Sequence, residues 1–80
     1  MKIPRDVSGW ELIKVLSVFG YEPVSQNGSH IKVTTTKNGQ HHIAVPNHNP
    51  VKIGTLSGIL SDVASHFGLT EDEVVRKLFS

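Results

Sequence analysis

The sequence predicts an α+β fold in the order helix, three antiparallel strands, helix, short helix. Three observations predict it. Asn-Gly pairs at Asn27-Gly28 and Asn38-Gly39 divide the middle of the chain, and that dipeptide is the strongest short hairpin signal. The segments around them are rich in β-branched residues and alternate apolar with polar, as half-buried strands do. On either side, apolar residues recur at helical spacing between recognisable end signals.

The first helix is expected over Ser8 to Gly20. Ser8 and Glu11 form an S-x-x-E capping box, and Leu12, Val15, Leu16 and Phe19 fall on one face. Gly20 follows the last turn, where a left-handed residue ends helices. Tyr21 to Gln26 reads as a short strand, and a turn at Asn27-Gly28 leads into a second strand, His30 to Thr36. The loop that follows sets the register. A two-residue loop at Asn38-Gly39 would split Ile31 and Val33 from Ile43 and Val45 across two faces. A three-residue loop, Lys37-Asn38-Gly39, with a type I turn and a left-handed glycine, pairs Val33 with Ile43 and Ile31 with Val45 on one face. We prefer it, because the buried pattern sets register.

The third strand, His41 to Val45, stops at Pro46, and "PNHNP" is an irregular loop. A second helix is expected over Thr55 to Phe67, with Leu56, Ile59, Leu60, Val63 and Phe67 on its apolar side and Gly68 closing it. Thr70 and Glu73 form a second capping box for a short last helix carrying Val74, Leu78 and Phe79. Such a sheet gives one face to the helices and leaves one free.

Eighty residues are too few for two cores, so residues 1–80 are expected to form a single domain. With no cysteine, disulfides and thiolate metal sites are excluded. "MKIPRDVSGW" lacks the apolar core of a secretory leader, and no run approaches the roughly 18 apolar residues of a membrane helix. We expect a soluble cytoplasmic protein, with no membrane association and no cofactor. The net charge is only +1, but its distribution is uneven. From Pro23 to Ser61 there is no Asp or Glu, while Lys32, Lys37, Lys52, His30, His41, His42 and His48 all fall there. A segment without carboxylates suits a polyanion. Strands and loops also carry fewer acids than helices, and three lysines make a weak basic patch.

Alternation along the strands then sorts the histidines. With Ile31, Val33, Ile43 and Val45 toward the helices, His30, Lys32 and Thr34 face the other way. His42 lies opposite Thr34, and Ser25 is expected to pair with His30 across the first turn. The open face therefore carries Ser25, His30, Lys32, Thr34 and His42, and His41 points to the helix side. An exposed imidazole titrates near neutrality. It can take a proton from a ribose 2′-hydroxyl or give one to a leaving 5′-oxygen. A nearby lysine can stabilise charge on the phosphate. Such a face holds no carboxylate cluster for magnesium, so no metal site is expected.

The segments "GWELIKVLSVFGYEPVSQNGSHIKV", "HHIAVPNHNPVKIGTLSGIL" and "FGLTEDEVV" resemble the HicA family of toxin ribonucleases, from about Ser8 to Leu78. The resemblance lies in the order and spacing of "FGYE", "GSH", "IAVP", "GTL" and "GLT". It implies a double-stranded-RNA-binding-domain-like fold, cleavage of mRNA, and neutralisation by a HicB-type antitoxin. It also implies that the histidine of "GSH", here His30, is catalytic. Gly28 and Ser29 of that motif, with Lys32 and His42 from the register, are the substrate-binding candidates. The chain departs from the family where Ser57 stands in place of a common basic residue and Ile31 in place of a common second histidine.

Three other readings are compatible with the sequence. One is a non-catalytic RNA-binding module of the same fold, which would read duplex shape and need more basic side chains than Lys52 alone. A second is a zinc site at His41, His42 and His48, disfavoured because adjacent strand residues point to opposite faces. The third is an interaction domain anchored by Trp10 and Tyr21.

Overall fold

The computed structural model describes residues 3–79. Its elements are α1 (Gly9–Leu16), β1 (Glu22–Asn27), β2 (His30–Thr35), β3 (His41–Pro46), α2 (Ile53–Phe67) and α3 (Glu71–Phe79). The strands form one antiparallel sheet in the order β1-β2-β3. This is the α+β, double-stranded-RNA-binding-domain-like architecture expected from the sequence. Among the described residues, no helix is long and apolar enough to cross a membrane.

Both capping boxes form. The Ser8 hydroxyl accepts from the Glu11 amide at 3.1 Å, and the Glu11 carboxylate accepts from the Ser8 amide at 3.2 Å. The same reciprocal pair joins Thr70 and Glu73, at 3.1 and 2.9 Å, and these bonds hold the Glu73 carboxyl below its usual range. The α-helix of α1 is shorter than expected. It gives way to a tighter 3₁₀ turn at Ser17–Phe19 before left-handed Gly20. The buried face of α1 also includes Ile13, while Val15 is only partly covered. α2 starts two residues earlier than expected, at Ile53.

The β2–β3 register is the expected one, with Ile31 opposite Val45, Val33 opposite Ile43 and Thr34 opposite His42. Ile31, Val33, Ile43 and Val45 lie under α1 and α2 beside Leu12, Leu16, Leu56, Leu60 and Val63, all 5 % exposed or less. The paired strands end at Thr35 and His41, and both Asn38 and Gly39 take positive φ in the loop between them. Thr35, the single buried polar or charged residue among those described, donates to the Phe19 carbonyl at 2.8 Å and accepts from the Lys37 amide at 3.1 Å.

The first hairpin differs from expectation. Its two-residue turn is Gly28-Ser29, not Asn27-Gly28, because Asn27 still pairs with His30. A bulge between Pro23 and Ser25 then shifts the partners, so that Ser25 pairs with Lys32 and not with His30. Ser25 stays on the open face, because Lys32 is on it. An extra residue in one strand can keep a side chain's face while changing its partner, and alternation alone cannot detect it.

Candidate functional site

The first turn determines where His30 stands. Gly28 takes φ +61°, which most residues resist, and lets the chain reverse in two residues. His30 therefore begins the central strand, with Asn27 on one side and Pro46 on the other. Its side chain is exposed on the face turned away from the helices.

Rows of cross-strand partners organise that face. Asn27, His30 and Pro46 form the first row, Ser25, Lys32 and Ala44 the second, and Glu22, Thr34 and His42 the third. A shallow groove of about 380 Å³ is lined by Ser25, Asn27, His30, Lys32, His42 and Ala44. The expected residues His30, Lys32 and His42 thus share one groove, floored by the small side chain of Ala44. Thr34 Oγ1 lies 2.6 Å from His42 Nδ1. When the hydroxyl donates, the proton of the neutral ring sits on Nε2, a donor available to phosphate. Glu22 was not anticipated here. Its pairing with Thr34 puts a carboxylate at the far margin, two rows from His30, or roughly 13 Å along a strand rising ~3.3 Å per residue.

A second groove of similar size opens on the other side of His30, lined by His30, Ala44, Pro46, His48, Lys52 and Thr55. Strand alternation does not reach His48, in the irregular loop, or Lys52 and Thr55, at the N-cap and in the first turn of α2. Backbone bonds hold that loop in place. The Asn47 amide donates to the Ser29 carbonyl at 2.6 Å, the Gly9 amide to the His48 carbonyl at 2.9 Å, and the Val51 amide to the Val7 carbonyl at 2.7 Å. Lys52 is the N-cap of α2, whose first turn carries no acid and no side-chain cap, so the positive end of that helix adds to the lysine's charge. Gly28 and Ser29 line neither groove. They form the turn that carries His30, and a side chain at Gly28 would meet open space.

The remaining histidines are used differently. His41 lies on the helix side, as expected, where its ring stacks on His66 of α2 with centroids 4.5 Å apart. The Tyr21 hydroxyl is 2.8 Å from His41 Nδ1. His66 Nε2 reaches the carbonyls of Lys37 and Gly39 at 2.9 and 3.0 Å, and Asn38 Nδ2 donates to the His66 carbonyl at 2.7 Å. This cluster ties the β2–β3 loop to the end of α2. It separates His41 from His42 and His48, and among the described residues no group of three metal-ligating side chains forms. Tyr21 is a core residue, whereas Trp10 is 51 % exposed.

Burial, and then the neighbouring His66, push the His41 pKa below its ordinary 6.5, against an opposing pull from Asp62, and His42 lowers it further. Burial, with Asp62, raises Tyr21 to about 12, so the phenol stays protonated and can donate to a neutral His41. The consequence for stability has a definite sign. Below 6.5 the unfolded chain protonates His41 while the native chain resists, so the unfolded state binds more protons. The contribution of His41 is complete above 6.5 and declines as pH falls below it. The melting temperature is expected to drop between about pH 7.5 and about pH 5, and to drop less in a His41→Asn variant. An identical decline in both proteins would remove His41 as the cause.

The open face, the two grooves and the elements that form them lie within a segment that matches a known family. The family described as HicA toxin of bacterial toxin-antitoxin systems matches residues 9–64, from the start of α1 into α2. No curated protein and no solved structure matches the chain. Because the family match spans most of the sequence, including both grooves and the whole sheet, the chain belongs to the HicA family of bacterial toxins.

Proposed function

We propose that this toxin is an endoribonuclease that cleaves mRNA in the cytoplasm by metal-independent acid–base chemistry centred on His30, and that a HicB-type antitoxin neutralises it. The observation that carries the reading is the exposed imidazole of His30, between two shallow grooves and beside Lys32, within the family-matched segment. His30 accepts the proton of a ribose 2′-hydroxyl. The 2′-oxygen bonds to phosphorus, and the bond to the 5′-oxygen breaks. Lys32 and the Nε2 proton of His42 bind phosphate oxygens, where negative charge accumulates in the transition state. Ser29 offers a hydroxyl beside His30, and the open space over Gly28 lets a nucleotide approach the backbone.

The test is cleavage of a defined RNA in the presence of a chelator, with analysis of the ends. We expect a 2′,3′-cyclic phosphate or its hydrolysis product. Activity lost to the chelator and restored by magnesium would overturn the proposal.

Lys32→Ala is expected to weaken RNA binding across sequences and to reduce the slope of log affinity against log salt by about one unit, as loss of one phosphate contact does. An unchanged slope would put the RNA elsewhere.

The exposed face of the sheet supports the partner reading. The helices bury one face, and nothing in the described chain covers the other. We expect the antitoxin to present an acidic surface to His30 and Lys32, binding in a salt-sensitive way. In a complex with the antitoxin, amide exchange is expected to slow around His30. Protection confined to Thr70–Phe79, with His30 still open, would contradict this mode of inhibition.

A further inference from the structure

We propose that His48 is the general acid of the reaction, acting across the second groove from His30. This rests on the ribonuclease reading above and supplies the half of the chemistry that His30 leaves open.

Cleavage by a 2′-hydroxyl moves two protons at opposite sides of one phosphorus. The nucleophile enters in line with the leaving group, so the base sits beside the 2′-oxygen and the acid beside the 5′-oxygen, with phosphorus between them. One imidazole cannot reach both positions in a single transition state. A second donor is required, and it must stand across the phosphate from the first.

His48 is the candidate for that donor. His30 and His48 line the same groove, with Lys52 and Thr55 along it. The first groove offers Lys32 and His42, which the reading above already places on the phosphate oxygens, with the His42 ring held at Nδ1 by Thr34. The described hydrogen bonds show no partner for the His48 ring, which is exposed and free to meet a ligand. Its backbone is held on both sides: Asn47 is tied to Ser29, next to His30, and the His48 carbonyl accepts from Gly9. The bond between Asn47 and Ser29 continues the β2–β3 pairing one step past His30 and Pro46. The loop therefore leaves the sheet beside His30 and carries His48 along the groove. Lys52 can hold a non-bridging phosphate oxygen between the two rings.

The step balances. The 2′-hydroxyl proton passes to neutral His30 as the 2′-oxygen bonds to phosphorus. The bond from phosphorus to the 5′-oxygen breaks, and that oxygen takes the proton of cationic His48. The products are a 2′,3′-cyclic phosphate and a free 5′-hydroxyl, with His30 protonated and His48 neutral.

The test uses a pair of oligonucleotides that differ in one atom, the bridging 5′-oxygen or a sulfur in its place. A thiolate leaves without a proton, so the sulfur substrate does not need an acid. His48→Ala is expected to slow cleavage of the oxygen substrate by about 100-fold or more, within the usual range for proton transfer, and to cleave the sulfur substrate near the parental rate. His30→Ala is expected to be slow on both. The His48 side chain is exposed and its backbone bond survives substitution, and a parental melting temperature for His48→Ala will confirm folding. Equal slowing of His48→Ala on both substrates, or no slowing on either, would overturn the assignment. Rescue of His30→Ala by sulfur would reverse the two roles. Failure of the parent protein to cleave either substrate would remove the ribonuclease reading itself, and this proposal with it.

Discussion

Replacing His30 by alanine is expected to reduce RNA cleavage by a factor of 100 to 10,000 or more, of the order that a positioned acid–base group contributes, while leaving the fold intact. His30 is exposed at the start of the central strand and packs no core surface, so its removal leaves no cavity. Stability should change by less than ~0.5 kcal/mol. The combination is diagnostic, because a residue needed for folding would lower activity and melting temperature together. It also separates an enzyme from a binding module of the same shape. In a module that only grips RNA, loss of His30 would weaken binding modestly and there would be no cleavage to lose. We expect RNA affinity to remain close to that of the parent, since Lys32, His42 and Lys52 stay in place. Cleavage at the parental rate in the His30→Ala protein would move the chemistry to another residue.

The sequence made some of this site legible and hid the rest, for physical reasons. The face of His30 followed from the period of a strand, because Ile31, Val33, Ile43 and Val45 can be buried together in only one register. Lys32 and His42 came with that register. The bulge before Ser25 was hidden, since a bulge adds a residue without changing composition. The role of His66 was hidden too. Helical periodicity marks the apolar stripe of α2, but not the histidine at its edge that stacks on His41 and holds the β2–β3 loop. His48 and Lys52 were hardest to place. They lie in a loop with no period, and only the hydrogen bonds to Ser29, Gly9 and Val7 show where that loop runs. The capping boxes were legible because they are local, with all their partners within four residues.

Gly9→Ala is expected to be strongly destabilising, against what helix propensity alone predicts. Alanine is favoured over glycine inside a helix by up to about 1 kcal/mol, and Gly9 opens α1. Gly9, however, is buried against the end of β3. A Cβ built there collides with the Pro46 carbonyl oxygen and lies 3.1 Å from Asn47 Cα and 3.2 Å from the Pro46 carbonyl carbon. All three are backbone atoms, so no rotamer change relieves the clash. Either α1 tilts away from the sheet or the chain after β3 moves, and overpacking of this kind costs ~1–3 kcal/mol. For a domain this small, that is a fall of roughly 5–20 °C in melting temperature. Gly58→Ala is the control. Gly58 lies inside α2 with nothing within 4 Å of a Cβ, so the propensity gain of about 0.5–1 kcal/mol should appear there undiminished. The displaced segment is also the one that carries His48, through the bond from the Gly9 amide to its carbonyl. Gly9→Ala is therefore expected to lose cleavage at temperatures where it remains folded, and Gly58→Ala to keep it. A Gly9→Ala protein as stable as the parent would mean that the contact between α1 and β3 is looser than the structure shows. A stable loss of activity at parental melting temperature would mean that the loop yields and the helix does not.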